Sequence, residues 1–109
     1  MASAELPWLF LAVAGLLEVV WVVLLKRTEG FSHLWLSIAC IAAMLASFWA
    51  MSQALRVLPM GTVYAVWTGI GAAGGLFWGI AMEGEPLTVI RVGCVALILL
   101  GVGGLKFGG

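Results

Sequence analysis

Four apolar blocks, each close to the roughly 20 residues that a helix needs to cross a bilayer, make up most of this sequence. They cover residues 6–25, 35–55, 60–82 and 87–105. Only 9% of the residues are charged and 64% are hydrophobic, whereas about 25% are charged in an ordinary soluble domain. A monomer of this length cannot bury so much apolar surface in its own core. The sequence therefore predicts an all-α membrane protein, with four transmembrane helices in a single domain of residues 1–109.

The connections between the blocks are short, which places consecutive helices side by side and antiparallel in one bundle. Pro59 and Pro86 mark helix boundaries, because the residue before a proline resists the α-helical conformation. Small residues recur at every fourth position in the second and third blocks, and this spacing favours close helix packing. They are Ala42, Ala46, Ala50 and Ala54, and then Gly71, Gly75 and Gly79. The alternative is that alanine and glycine are simply common in membrane helices.

The basic residues are divided almost equally between the two sides of the membrane and therefore specify no clear orientation of the bundle. With both termini on one side, that side carries Arg56 and Lys106, and the other carries Lys26, Arg27 and Arg91. Because cytoplasmic loops normally hold a clear excess of Lys and Arg, so balanced a chain is expected to insert both ways. Two opposite copies would then pair as an antiparallel homodimer. The alternative is that a weaker cue directs every copy the same way.

Several function classes are disfavoured. The basic residues form no cluster long enough to hold a nucleic-acid backbone, so no nucleic-acid partner is expected. Cys40 and Cys94 both lie inside apolar blocks, where free thiols behave as small hydrophobes, and their spacing suggests no metal site. The chain carries no HExxH motif, nucleophile-and-base pair or cofactor motif. An enzyme is therefore not expected.

Glu18 is the residue that most needs explaining. It lies just past the middle of the first block, which contains no other charged residue. A charged side chain at the centre of a bilayer costs about 3 kcal/mol on insertion scales, and such residues usually mark ion or proton pathways. Burial disfavours a bare carboxylate, so the group would hold either a proton or a cation. This exclusion favours coupled exchange of protons and cations. The alternative is a structural glutamate that only bonds a neighbouring helix.

Helical spacing supplies candidate neighbours for Glu18. Gly15 and Trp21 lie on the same helix face, where the glycine leaves room and the indole N–H is a hydrogen-bond donor. In the third block Tyr64 and Trp67 present two large rings with polar atoms, and Ser47 lies midway along the second block. Polar ring atoms this deep in a membrane need partners. We therefore predict that these side chains line a binding site.

Two segments carry a family resemblance. The run GLLEVVW at residues 15–21, followed by LK at 25–26 and EGF at 29–31, resembles the first helix of the small multidrug resistance transporters. The run LPMGTVYAVWTGIG at residues 58–71 looks like the third helix of that family. The order, spacing and placement of these runs in a four-span chain extend the similarity over essentially the whole sequence.

The resemblance implies an antiparallel, dual-topology homodimer in the bacterial inner membrane, in which Glu18 binds protons or a cationic substrate in turn. Protons are then the coupling ion, and no other cofactor or metal is implied. The residues that match the family's functional positions are Trp21, Ser47, Tyr64 and Trp67 around the site, Gly69 and Gly71 at a bend in the third helix, Met44 and Phe48 at a lateral opening, and Gly93 and Gly101 on the dimer-forming helix.

The family subtype decides the substrate. Trp21, together with the run WTGIGA at residues 67–72, resembles the guanidinium exporters, whereas drug-exporting relatives typically carry a smaller residue at the position of Trp21. A small planar cation with N–H donors also suits bidentate recognition by a carboxylate. Guanidinium and small guanidinyl cations are the favoured substrates. Two alternatives stay open: a polyspecific exporter of quaternary ammonium and aromatic cations, and a helper membrane subunit that transports nothing.

Overall fold

The computed structural model describes residues 5–108 and has four helices, each antiparallel to the next along the chain. They are α1 (Leu6–Arg27), α2 (Leu34–Leu55), α3 (Met60–Met82) and α4 (Val89–Gly108), and each is long and apolar enough to cross a membrane. The prediction of four transmembrane helices is confirmed. The predicted single domain covers residues 1–109, of which 1–4 and 109 lie outside the described residues.

Prolines set two of the helix starts. Pro7 lies in the first turn of α1, where its missing N–H costs no hydrogen bond, and Pro59 is the N-cap of α3. Between α1 and α2 the chain turns through Glu29, Gly30 and Phe31, which all have positive φ angles, of 49°, 73° and 64°. The buried Thr28 hydroxyl stabilises this turn, because it donates to the Leu25 carbonyl and accepts from the Phe31 N–H.

Helix α1 packs against both α2 and α3, whereas the main packing partner of α4 is α3. A buried cluster of Leu11, Ala54, Val63 and Val66 joins the first three helices. No residue of α4 is buried. The expected close packing of the alanine row on α2 holds for its second half only, since Ala50 and Ala54 are buried while Ala42 and Ala46 are exposed.

Ion pairs stabilise one end of the bundle. At the end where α1 and α3 finish, Glu83 pairs with Lys26 at 2.9 Å and with Arg27 at 3.1 Å, and Arg91 pairs with Glu85 at 2.7 Å. The hydrogen bond from Lys26 to Glu83 is the main reason that the pKa of Glu83 lies below its usual value of 4.5. These pairs tie the end of α1 to the end of α3, and the start of α4 to the α3–α4 connection.

Candidate functional site

The Glu18 carboxyl group lies in the contact between α1 and α3. It fills the space beside Gly71, where a Cβ atom on that residue would overlap it. Two further close approaches hold the same contact: a Cβ on Gly15 would lie 2.6 Å from Ile70, and a Cβ on Gly74 would lie 2.5 Å from Val19. Glycines thus bring the two helices close enough to seat the carboxyl group between them.

Ser47 links three helices one turn away from Glu18. Its side chain is fully buried, and its hydroxyl donates to the Ala14 carbonyl oxygen of α1 at 2.7 Å. The same hydroxyl accepts a hydrogen bond from the Trp67 indole of α3 at 3.0 Å. Both polar functions of the serine are therefore satisfied within the protein. This bridge fixes the Trp67 ring and the backbone of α1 beside the carboxyl group.

Trp67 is the centre of an aromatic wall. The Tyr64 ring packs edge-on against it at 6.1 Å between centroids, and the Phe48 ring of α2 lies tilted at 6.2 Å. Trp67 itself is only partly exposed, whereas 64% of Tyr64 and 40% of Phe48 remain exposed. The wall consists of one anchored indole and two open rings, and an open ring face attracts a cation.

The Trp21 indole N–H is a candidate donor for Glu18, but it forms no hydrogen bond to that side chain in the structure. The Trp21 Nε1 atom and the Glu18 Oε2 atom are both buried, and neither has a hydrogen-bond partner among the described residues. Glu18 instead turns toward Gly71 of α3. An unpartnered buried polar atom costs about 1–3 kcal/mol. Two of them on neighbouring turns of one helix indicate a site that a ligand or proton completes.

The two glycines predicted to bend the third helix have separate packing roles. Gly71 seats the Glu18 carboxyl group, whereas a Cβ on Gly69 would lie 2.8 Å from Val102 of α4. Helix α3 runs from Met60 to Met82 without interruption. The structure therefore explains both glycines by close approach to a neighbour, and the predicted bend stays a prediction.

The remaining predicted residues lie on α2 and α4. Met44 is half-buried on α2, one turn before Phe48. Gly93 and Gly101 lie on an exposed face of α4, where an added Cβ would meet nothing within 4 Å. The α4 glycines are thus unused by packing within the chain, as a face reserved for another helix would be.

An apolar groove beside α3 does not coincide with the carboxyl group. A groove of about 810 Å³ lies between α3 and α4 and is lined by Tyr64, Thr68 and mostly apolar residues, without Glu18. The lining of this groove offers a cation the Tyr64 ring and two hydroxyl groups but no carboxylate, whereas the buried Glu18 oxygen needs a donor. We therefore centre the candidate site on Glu18, in the contact between α1 and α3.

One contribution to this site was missed at the level of sequence. Cys40, read as a plain hydrophobe, donates from its Sγ atom to the Trp21 carbonyl oxygen at 3.3 Å and so ties α2 to α1 beside the site. A thiol inside an apolar block carries no signal that separates this role from simple packing. No group of three or more possible metal ligands occurs among residues 5–108, and the chemistry that the site supports is reversible binding of a proton or an organic cation.

The chain is similar to known proteins over most of its length. The family model for the Small Multidrug Resistance protein matches residues 6–98. The chain is 50% identical over 101 residues to the guanidinium exporter of Escherichia coli strain K12, a match that covers 93% of this chain and 96% of that protein. The guanidinium exporters of Shigella flexneri and Citrobacter freundii match with the same identity and the same coverage.

Proposed function

The chain belongs to the small multidrug resistance protein family, and on that basis we propose that it exports guanidinium and small guanidinyl cations in exchange for protons. It is a multi-pass protein of the bacterial inner membrane and a transporter rather than an enzyme. The substrate is inferred from the guanidinium exporters that match over 93% of the chain. The observation that carries the proposal is the buried Glu18 oxygen without a hydrogen-bond partner.

Guanidinium fits this carboxylate by both charge and shape. The cation is planar, and its N–H groups point outward in pairs that match the two oxygens of a carboxylate. Binding would neutralise Glu18 and supply the donor that its buried oxygen lacks. The Trp67 ring, fixed by Ser47, and the exposed Tyr64 ring would then offer their faces to the cation.

Coupling to protons follows from the shared use of Glu18. A proton and a guanidinium ion each neutralise the carboxylate, so the site holds one or the other. The neutral forms cross the low-dielectric interior at far lower cost than a bare carboxylate. If only a loaded site exchanges between the two sides, a proton entering drives a cation out. No other coupling ion or cofactor is needed.

An antiparallel homodimer would complete the site. Glu18 is only partly buried within one chain, and an added Cβ at Gly93 or Gly101 of α4 would meet no neighbouring helix within 4 Å. Small residues on an exposed membrane helix favour close association with another helix. The balance of two basic residues against three supports insertion in both orientations. Met44 and Phe48 on α2 would then border a lateral opening between the two copies.

Proteoliposomes provide the direct test of the transport proposal. Purified protein should produce a guanidinium-dependent proton flux, and Glu18→Gln should abolish it while leaving a folded dimer, because glutamine keeps the shape but neither charges nor titrates. A flux with quaternary ammonium and none with guanidinium would identify the drug-exporting alternative. No flux with either cation would favour the helper subunit. Retained transport by Glu18→Gln would contradict the assignment of Glu18.

The dimer proposal has its own test. Topology reporters fused to the C-terminus should report both sides of the membrane. Lysines added near one end should shift that distribution. A native chain found in one orientation only would rule out dual topology from a single gene.

A further inference from the structure

A groove at the end of the bundle where α1 starts and α2 finishes has no role in the transport proposal. This α1–α2 groove has a volume of about 400 Å³ and is lined by Leu6, Pro7, Phe10, Gln53, Arg56 and Val57. Behind Phe10 the two helices are joined by its edge-on contact with Trp49, with 5.7 Å between the ring centroids. The exposed fractions of Leu6 and Val57 are 44% and 68%. The groove therefore opens outward, toward the surroundings of the chain.

Arg56 differs from the other basic residues in residues 5–108. Lys26, Arg27, Arg91 and Lys106 each have a carboxylate within 3.5 Å. In the same part of the chain Arg56 has none, and its guanidinium donates only to the side-chain oxygen of Gln53, at 3.3 Å. An arginine carries five N–H donors and a permanent positive charge. Arg56 thus lines the groove with a charge that the chain itself does not neutralise.

The polarity of the groove changes with depth in the membrane. Arg56 and Val57 follow the end of α2, and Leu6 and Pro7 begin α1, so this part of the groove lies at the water-facing end of the bundle. Phe10 lies one turn deeper on α1. The cationic guanidinium is therefore at the level of lipid headgroups, with apolar side chains below it. A phospholipid has the same order of an anionic phosphate above an acyl chain.

We propose that the α1–α2 groove binds one anionic phospholipid, with its phosphate on Arg56 and Gln53 and one acyl chain along Leu6, Phe10 and Val57. Basic pockets between membrane helices are known to hold anionic headgroups. Charge selects this occupant, because the transported cation would be repelled by Arg56. Free phosphate would leave the apolar wall bare. In the antiparallel dimer one such site would face each leaflet.

Native mass spectrometry of protein released from nanodiscs of equal phosphatidylglycerol and phosphatidylcholine tests the proposal. One unneutralised arginine should give a preference for bound phosphatidylglycerol of about fivefold. Arg56→Gln should lower that preference to about one while lipid is still retained. Arg27→Gln is the matched control, since the Arg27 charge is paired with Glu83, and the preference should persist. Val57→Trp, which fills the groove from an exposed position, should reduce the retention of both lipids.

Three results would overturn the proposal: equal binding of the two lipids by the wild type, an unchanged preference in Arg56→Gln, or displacement of the bound lipid by inorganic phosphate. Thermal unfolding serves as the measure of folding, because Arg56 and Val57 are not buried and both variants should unfold at a temperature close to that of the wild type. The lipid result is independent of the transported cation. A failure of either proposal therefore leaves the other standing.

Discussion

Replacing Gly71 with alanine probes how Glu18 is held. The new methyl group would occupy the space that the Glu18 carboxyl group fills, so one of the two must move. The overlapping atoms are the far end of a flexible side chain, whereas the alanine methyl is fixed to the backbone of α3. We therefore expect the carboxyl group to rotate out of the α1–α3 contact and the fold to persist.

The effects on stability and on binding should differ in size. Alanine in place of glycine stabilises a helix by up to about 1 kcal/mol. Forcing Glu18 off its preferred rotamer costs about 0.5–1.5 kcal/mol, so the free energy of unfolding should change by less than about 1 kcal/mol. A hydrogen bond to a charged group contributes about 1.5–3 kcal/mol. The loss of one such bond should weaken guanidinium binding by about 10- to 150-fold, at 1.4 kcal/mol per factor of ten.

The assay pairs guanidinium titration of purified protein with guanidinium-driven proton flux in proteoliposomes. Gly75→Ala is the matched control, because it makes the same change one turn further along α3, where an added Cβ meets nothing within 4 Å. It should stabilise the helix and leave transport unchanged. Wild-type affinity in Gly71→Ala would refute the reasoning that the absent Cβ seats the carboxyl group. Equal losses in both variants would show that the flexibility of α3, rather than the space at Gly71, is what matters.

Three further predictions concern Ser47, Trp21 and Glu83. Ser47→Ala should lower the free energy of unfolding by about 1–3 kcal/mol, because it leaves the Trp67 indole N–H unpartnered and removes the hydrogen bond that ties α2 to the Ala14 carbonyl of α1. In thermal unfolding, the exposed Ser52→Ala control should stay within about 0.5 kcal/mol. Trp21→Gly should shift transport toward bulky cations, because removal of the indole leaves more room beside Glu18 and such cations gain about 0.5–2 kcal/mol on an open aromatic ring. Unchanged relative rates for guanidinium and a quaternary ammonium ion would contradict this prediction. The lowered pKa of Glu83 means that its pair with Lys26 stabilises the fold fully above pH 4.5 and ceases to do so as the pH falls through that lower pKa. Acid should therefore reduce the thermal stability of the wild type more than that of Glu83→Gln, and parallel pH profiles would exclude the effect.

Glu18 and Trp21 differ in how much the sequence alone says about them. A lone carboxylate in an apolar block is conspicuous because the bilayer penalises charge wherever the helix rotates. Trp21 is different. Spacing of three residues placed it beside Glu18 on one helix face, yet both polar atoms lack partners because Glu18 turns to α3. Helical spacing specifies which side chains are neighbours, and the packing of other helices decides which of them bond.

The sequence by itself determined the four membrane helices, their antiparallel order and the isolated carboxylate in the first of them. Each depends on composition along the chain, because a helix satisfies its own backbone hydrogen bonds in lipid and only its length and apolarity have to match the bilayer. Only the tertiary structure decided that Glu18 packs against Gly71 and that Val102 packs against Gly69. It also decided that Ser47 hydrogen-bonds to both Ala14 and Trp67. These contacts depend on the rotation and offset of each helix against its neighbours. The packing of side chains between helices sets this rotation and offset, and neither can be predicted from the periodicity of a single helix.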